Sequence, residues 1–352
     1  MKQKINLLLV VFTGVLCASL SAYNPPPNGE NMYELVSPQM ISSGSSVTGG
    51  GLKTVTPESI ALNPALIAGE QRWVVDLSYT GIIGTNLLTG YGQAANVGLI
   101  IPSRFGVTGI TMQGIFTSGL PLMDLGNSFT VRGAFAKDLT DELYVGAGAA
   151  LAFGTGMDWA LYADIGFWYN IKVIKGLGFF KDIRWGASLT GMGKPLSSGG
   201  IGIDAASVSG SFPGMFTPHL GIAGNLFSVK NFSGGLAMDL SFPTFQNVVY
   251  NAGLAFLIAN MVQIQTGWEV NLRELLSGYM VQIPTVSISV KFGINTKDAS
   301  FLAKQGWQQS EIVTSGAYQN LYSDMHAASA GASIYLGQRD TQAPEVKLWG
   351  NE

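Results

Sequence analysis

The sequence predicts an all-β fold: a fourteen-stranded antiparallel transmembrane β-barrel with an N-terminal hatch segment. Three observations lead there. Segments of about ten residues alternate apolar and polar side chains, as barrel strands do. Charged residues are only 12% of the 352, while 46 are glycine. The chain opens on an export signal, and no later apolar stretch has the roughly twenty residues that a spanning helix needs.

The alternation is plainest between Asn231 and Ile294. Phe232, Leu236, Met238, Leu240 and Phe242 share one face of an extended strand, and Ser233, Gly235, Ala237, Asp239 and Ser241 the other. Val262, Ile264, Trp268, Val270 and Leu272 alternate with Gln263, Gln265, Glu269, Asn271 and Arg273. Val286, Ile288, Val290, Phe292 and Ile294 alternate with Thr285, Ser287, Ser289, Lys291 and Asn295. One face suits lipid and the other water or a polar plug. The composition agrees, since an ordinary soluble domain carries roughly 25% charge and about 7% glycine.

In chain order, residues 1–22 read as a signal peptide. Lys2 and Lys4 supply the positive region, Ile5 to Leu16 the apolar core, and cleavage is expected after Ala22. Leu16 stands before Cys17 where a lipoprotein signal wants a small residue, so that reading is set aside. An exported chain with no spanning helix enters a bilayer only as a closed barrel, because each backbone polar group must find its partner internally. This implies the outer membrane of a two-membraned bacterium.

Residues 23–70 lack alternation. They hold Pro25-Pro26-Pro27, Ser42 to Ser46 and Gly49-Gly50-Gly51, and read as either a linker or a hatch folded back into the lumen. The barrel spans 71–337, with strands expected at 72–83, 93–102, 104–117, 127–138, 141–154, 157–170, 181–192, 214–228, 231–243, 246–259, 261–273, 282–295, 310–321 and 325–337. Short connections such as Pro102-Ser103 and Val229-Lys230 are assigned to the inner side. Gly84 to Gly92, Gly119 to Gly126, Gly193 to Pro213 and Glu274 to Val281 are assigned to the outer side, and a short helix is expected at Ala299 to Trp307. Trp73, Phe105, Phe129, Tyr144, Trp159, Trp168, Tyr169, Trp185 and Phe242 fall near strand ends, where amphipathic rings suit the membrane boundary. Residues 338–352 form a polar tail with no assigned role.

Chemistry is sparse. A net charge of −3 without a basic patch gives no sign of nucleic-acid binding. Two histidines, His219 and His326, and no cysteine after the signal make a metal site unexpected, and no cofactor is implied. Gly191-Met192-Gly193-Lys194-Pro195 lacks the first glycine and the final Ser or Thr of a phosphate loop. No nucleophile–base arrangement can be read, so an enzyme is not expected. The expected luminal polar set is Asp76, Arg132, Asp164, Arg184, Asp239, Glu269 and Arg273, with Lys291 beside them. Mixed charges in a bore either pair with one another and with a plug, or are solvated in an open pore.

One segment carries a family resemblance. Glu58-Ser59-Ile60-Ala61-Leu62-Asn63-Pro64-Ala65-Leu66 resembles the hatch of the FadL family, outer-membrane channels for long-chain fatty acids and other hydrophobic molecules. Asn63, Pro64 and Ala65 match its Asn-Pro-Ala. Ile100 to Gly106 and Leu139 to Gly148 resemble its strand connections, Thr217-Pro218 starts a strand in the same style, and its barrel has fourteen strands. The resemblance implies passive uptake of fatty acids or other hydrophobic small molecules and outer-membrane lipid as surroundings. It also implies sideways release near the third strand, where Gly106, Gly109 and Gly114 would permit a kink. Transfer of an apolar ligand from water to lipid is favourable by roughly 0.8 kcal/mol per methylene, so no energy source is required. A general diffusion porin and a surface-exposed binding or secretion-associated barrel remain the alternatives. The sequence does not specify an oligomeric partner.

Overall fold

The computed structural model describes residues 36–42, 46–86, 89–120, 127–171, 180–196, 216–277, 284–295, 307, 309–321 and 325–337. The signal, the first part of the hatch, most of the 193–213 loop, nearly all of the expected helix at 299–307 and the polar tail lie outside the described residues.

Fourteen strands close on themselves, each beside its neighbours in sequence, with the first beside the last. They are β1 (Trp73–Gly84), β2 (Gly90–Ser103), β3 (Gly106–Phe116), β4 (Asn127–Asp138), β5 (Leu143–Phe153), β6 (Trp159–Asn170) and β7 (Lys181–Lys194), then β8 (Thr217–Val229), β9 (Phe232–Ser241), β10 (Val249–Ile258), β11 (Val262–Asn271), β12 (Thr285–Asn295), β13 (Gln309–Leu321) and β14 (Met325–Leu336). Every pairing is antiparallel. The closing seam runs from Trp73↔Leu336 to Gly84↔Met325. Closure leaves no edge strand, so each strand is paired on both sides within the wall.

The two faces invert the pattern of a soluble protein. On β1, Leu77 is 60% exposed and its neighbour Asp76 1%. Val97, Met112, Leu161, Ile222, Val286 and Ile288 also point out of the barrel and stand exposed. An apolar belt of this extent is matched to hydrocarbon rather than water.

The strand expected at 261–273 ends early. β11 stops at Asn271, and Leu272–Ser277 turn into an α-helix. Pairing of β11 with β12 reaches only Gly267↔Thr285. Beyond that point Leu-Arg-Glu-Leu-Leu, all good helix formers without β-branching, no longer has a ladder to hold it extended. Arg273 therefore belongs to a loop-end helix and not to a luminal strand face, which corrects the expectation.

Inside the wall sits the segment 36–70. It contains α1 (Pro38–Ser42) and two short 3₁₀ helices, Pro57–Ala61 and Pro64–Gly69. Helix α1 packs on β11 to β14, and the 3₁₀ turns pack on the inner faces of β1 to β6. Val55, Ile60, Ile67 and Ala68 of this segment meet Val74, Ile100, Val107, Ala134 and Tyr335 of the wall in one buried cluster. The core therefore lies between segment and strands. Each such aliphatic side chain contributes about 1.5–3 kcal/mol on leaving water.

Candidate functional site: the plug and the inner wall around it

The Asn63-Pro64-Ala65 motif lies at the centre of the inserted segment. Asn63 is fully buried and caps the second 3₁₀ helix, its Oδ1 accepting from Ala65 N at 3.0 Å. Its Nδ2 donates to Val47 O at 2.8 Å within the plug and to Phe167 O at 3.0 Å on β6. One side chain thus ties the plug to itself and to the wall. Pro64 fits the first helical position, where no N–H is required. Ala65 O accepts from Trp168 Nε1 at 3.1 Å. Tyr144 stacks on Trp168 with ring centroids 3.9 Å apart, and Lys53 Nζ lies 4.4 Å over the same indole. Trp168 was expected at the membrane boundary. It is fully buried and points inward. Its place on β6, two and four residues after Gly166 and Asp164, gives it the parity of the polar face, a signal that its proximity to the strand end masked.

The expected luminal charges fall into groups. Arg184 Nη2 donates to Gly50 O and Gly51 O at 2.8 and 3.0 Å, and Asp239 Oδ2 accepts from Val47 N at 2.6 Å. These two hold the turn around Gly49 to Lys53. Arg132 pairs with Asp164 at 3.4 Å and donates to Tyr162 OH at 3.1 Å, while Asp164 Oδ1 accepts from Gly191 N. The last contact fills a bulge between β6 and β7. Asp76 accepts from Ser333 and faces Glu58 of the plug. Glu269 is half-buried on the inner parity of β11.

Sequence reasoning missed the rim cluster. Arg72 pairs with Glu70 at 2.9 Å and with Glu311 at 2.7 Å, and Lys291 reaches Glu311 at 3.4 Å. Burial opposes the charge on Arg72, but the bonds to Glu70 and Glu311 outweigh it and hold the guanidinium more firmly protonated than in free arginine. Arg72 precedes β1, and Glu311 is 239 residues away in sequence. Only barrel closure brings them together. Beside them a cavity of about 160 Å³ separates plug from wall, lined by Gln39, Lys53, Arg72, Gln263, Lys291 and Glu311 among others. Among the described residues no group of three or more His, Cys, Asp or Glu could hold a metal ion.

Comparisons with known proteins divide sharply. No family model matches the chain, and no curated protein does. Solved structures do. The Ralstonia pickettii toluene transporter TbuX aligns at 12% identity and a TM-score of 0.49, covering 87% of this chain and 98% of its own. The CymD monoaromatic hydrocarbon channel gives the same figures. A Pseudomonas aeruginosa FadL homologue aligns at 9% identity and 0.46, covering 86% and 97%.

The three glycines of β3 occupy different settings. Gly106 has φ +151° at the turn, against the Phe135 ring. Gly109 faces Ile60 and Ile67 of the plug, and Gly114 lies beside the Phe116 ring. β3 pairs without a register shift with β2 and with β4. The shifts fall instead between β6 and β7, β7 and β8, and β8 and β9.

Proposed function

We propose that the protein is an outer-membrane channel for passive uptake of hydrophobic small molecules, long-chain fatty acids among them, gated by its N-terminal hatch. The observation that carries this reading is the anchored plug. Asn63, Arg184 and Asp239 bind the backbone of residues 47–65 inside a wall whose exterior suits lipid. A general porin needs an open, hydrated bore, and here Asp76, Arg132, Asp164, Arg184 and Asp239 face each other or the plug. Reconstituted vesicles test the reading. A fluorescent fatty acid and toluene are expected to enter, and sugars are expected not to swell the vesicles. Free sugar diffusion would overturn the gate and favour the porin.

Release is proposed to be lateral, through the wall at β3. Ile110 and Gly133 are direct partners across β3 and β4. A disulfide between Ile110→Cys and Gly133→Cys is expected to abolish uptake, and reduction to restore it. Uptake that is indifferent to the crosslink would exclude that exit.

A further inference from the structure

Glu58 and Asp76 meet where the plug rests on β1 and β2. Pro57 lies against Gly98 of β2, so closely that a Cβ there would overlap its ring. Gly98 is the direct cross-strand partner of Asp76. The next plug residue, Glu58, is thereby set against the Asp76 carboxyl, within hydrogen-bond reach. Both are buried, at 3% and 1% exposure. Asp76 Oδ2 accepts from Ser333 Oγ of β14. Asp76 Oδ1 and both Glu58 oxygens have no donor among the described residues.

The cations of the described plug and of the strands around this pair are engaged elsewhere. Arg72, before β1, is bound to Glu70 and Glu311. Lys53 of the plug stands over the Trp168 ring on β6. Arg132, the inward cation of β4, pairs with Asp164. β2 and β3 carry no charged residue. Tyr335 of β14 faces the pair but gives its O–H to Val55 O at 3.3 Å. Two ionised carboxylates held here would repel each other where water is excluded. With one proton between them, one carboxyl donates to the other and the orphaned oxygens are satisfied.

We infer that Glu58 and Asp76 hold a single shared proton, and that this proton latches the hatch to the wall, so that the channel loosens as pH rises. The latch rests on the gating role proposed for the plug and adds its control. Linkage sets the sign. In the unseated plug both carboxyls enter water and ionise above about pH 4–5. In the seated plug the pair keeps one proton. The seated state binds more protons, so seating weakens as pH rises, by about tenfold per pH unit for one proton. The effect ends where the seated pair gives up its proton as well.

Vesicles holding the full-length protein test the latch by sugar leak and single-channel opening between about pH 5 and pH 8. The wild type is expected to open about tenfold more often per pH unit. Glu58→Gln and, separately, Asp76→Asn replace the shared proton by an amide N–H that does not titrate. Each is expected to stay closed with a flat pH profile. Infrared spectra of the wild type at neutral pH should show a protonated carboxyl that both variants lack. A flat wild-type profile overturns the latch, whether or not that carboxyl is found, and leaves the channel standing. A slope that survives in both variants, or a spectrum without the carboxyl, overturns it too. Opening on addition of EDTA at constant pH would put a metal ion between the carboxylates in place of the proton, and would also overturn it. Sugars passing freely at every pH would overturn the latch and the hatch gate together.

Discussion

Asn63→Ala is expected to convert a closed barrel into a leaking one. The side chain makes three hydrogen bonds from a fully buried position. Alanine leaves the Val47 carbonyl and the Ala65 N–H without this partner and removes the plug's bond to the Phe167 carbonyl of β6. Each buried orphan costs about 1–3 kcal/mol, so the loss is on the order of the whole margin that seats a small segment. The apolar cluster around Ile60 and Ile67 still holds the far side of the plug, so the segment loosens rather than the barrel unfolding. Single-channel conductance should rise several-fold, and small sugars should begin to swell vesicles. Asn63→Asp separates the two roles. It keeps the acceptor for Ala65 N and loses the donors to both carbonyls, so it should leak nearly as much as alanine if anchoring dominates. Wild-type conductance and uptake in both variants would reduce the motif to a local turn.

The barrel was legible because its physics is local in sequence. Alternation at a period of two fixes which face a residue takes, and strands such as β9 and β12 followed it within a few residues. What defeated the pattern was the loss of a partner strand, as at Leu272, where helix propensity took over once pairing stopped. The inner surface was legible in type but not in pairing. Asp76, Arg132, Asp164, Arg184 and Asp239 all carried the right parity, yet nothing in the spacing says that Arg184 reaches for Gly50 while Arg132 reaches for Asp164. Those choices are made across 133 and 134 residues for Arg184 and the plug turn, and they depend on how that turn enters the bore. Asn63 stood out only through the resemblance of its motif. Glu58 and Arg72 had no periodic signal at all, because their partners come from the plug and from the closing strands.

The glycines of the inner wall, which composition alone marks only as abundant, lead to the last expectation: Gly235→Val should unseat the plug. Gly235 on β9 faces Gly51, and a Cβ at either position would overlap the other's backbone. The wall cannot yield, since β9 is hydrogen-bonded along its length to β8 and β10 within a closed ring. The turn at Gly49 to Lys53 must move instead, and with it the acceptors of Arg184 and the donor to Asp239. Overpacking alone costs about 1–3 kcal/mol, and two stranded buried charges add more. The variant should therefore leak at least as strongly as Asn63→Ala, and protease added from the plug side should cut within residues 46–56. Gly81→Val is the matched control, because a Cβ there meets nothing within 4 Å and the position faces out of the barrel. It should fold, resist protease and conduct as the wild type does. A Gly235→Val barrel as tight and as protected as that control would mean that the plug does not rest on β9, and the gate would have to be sought elsewhere in the bore.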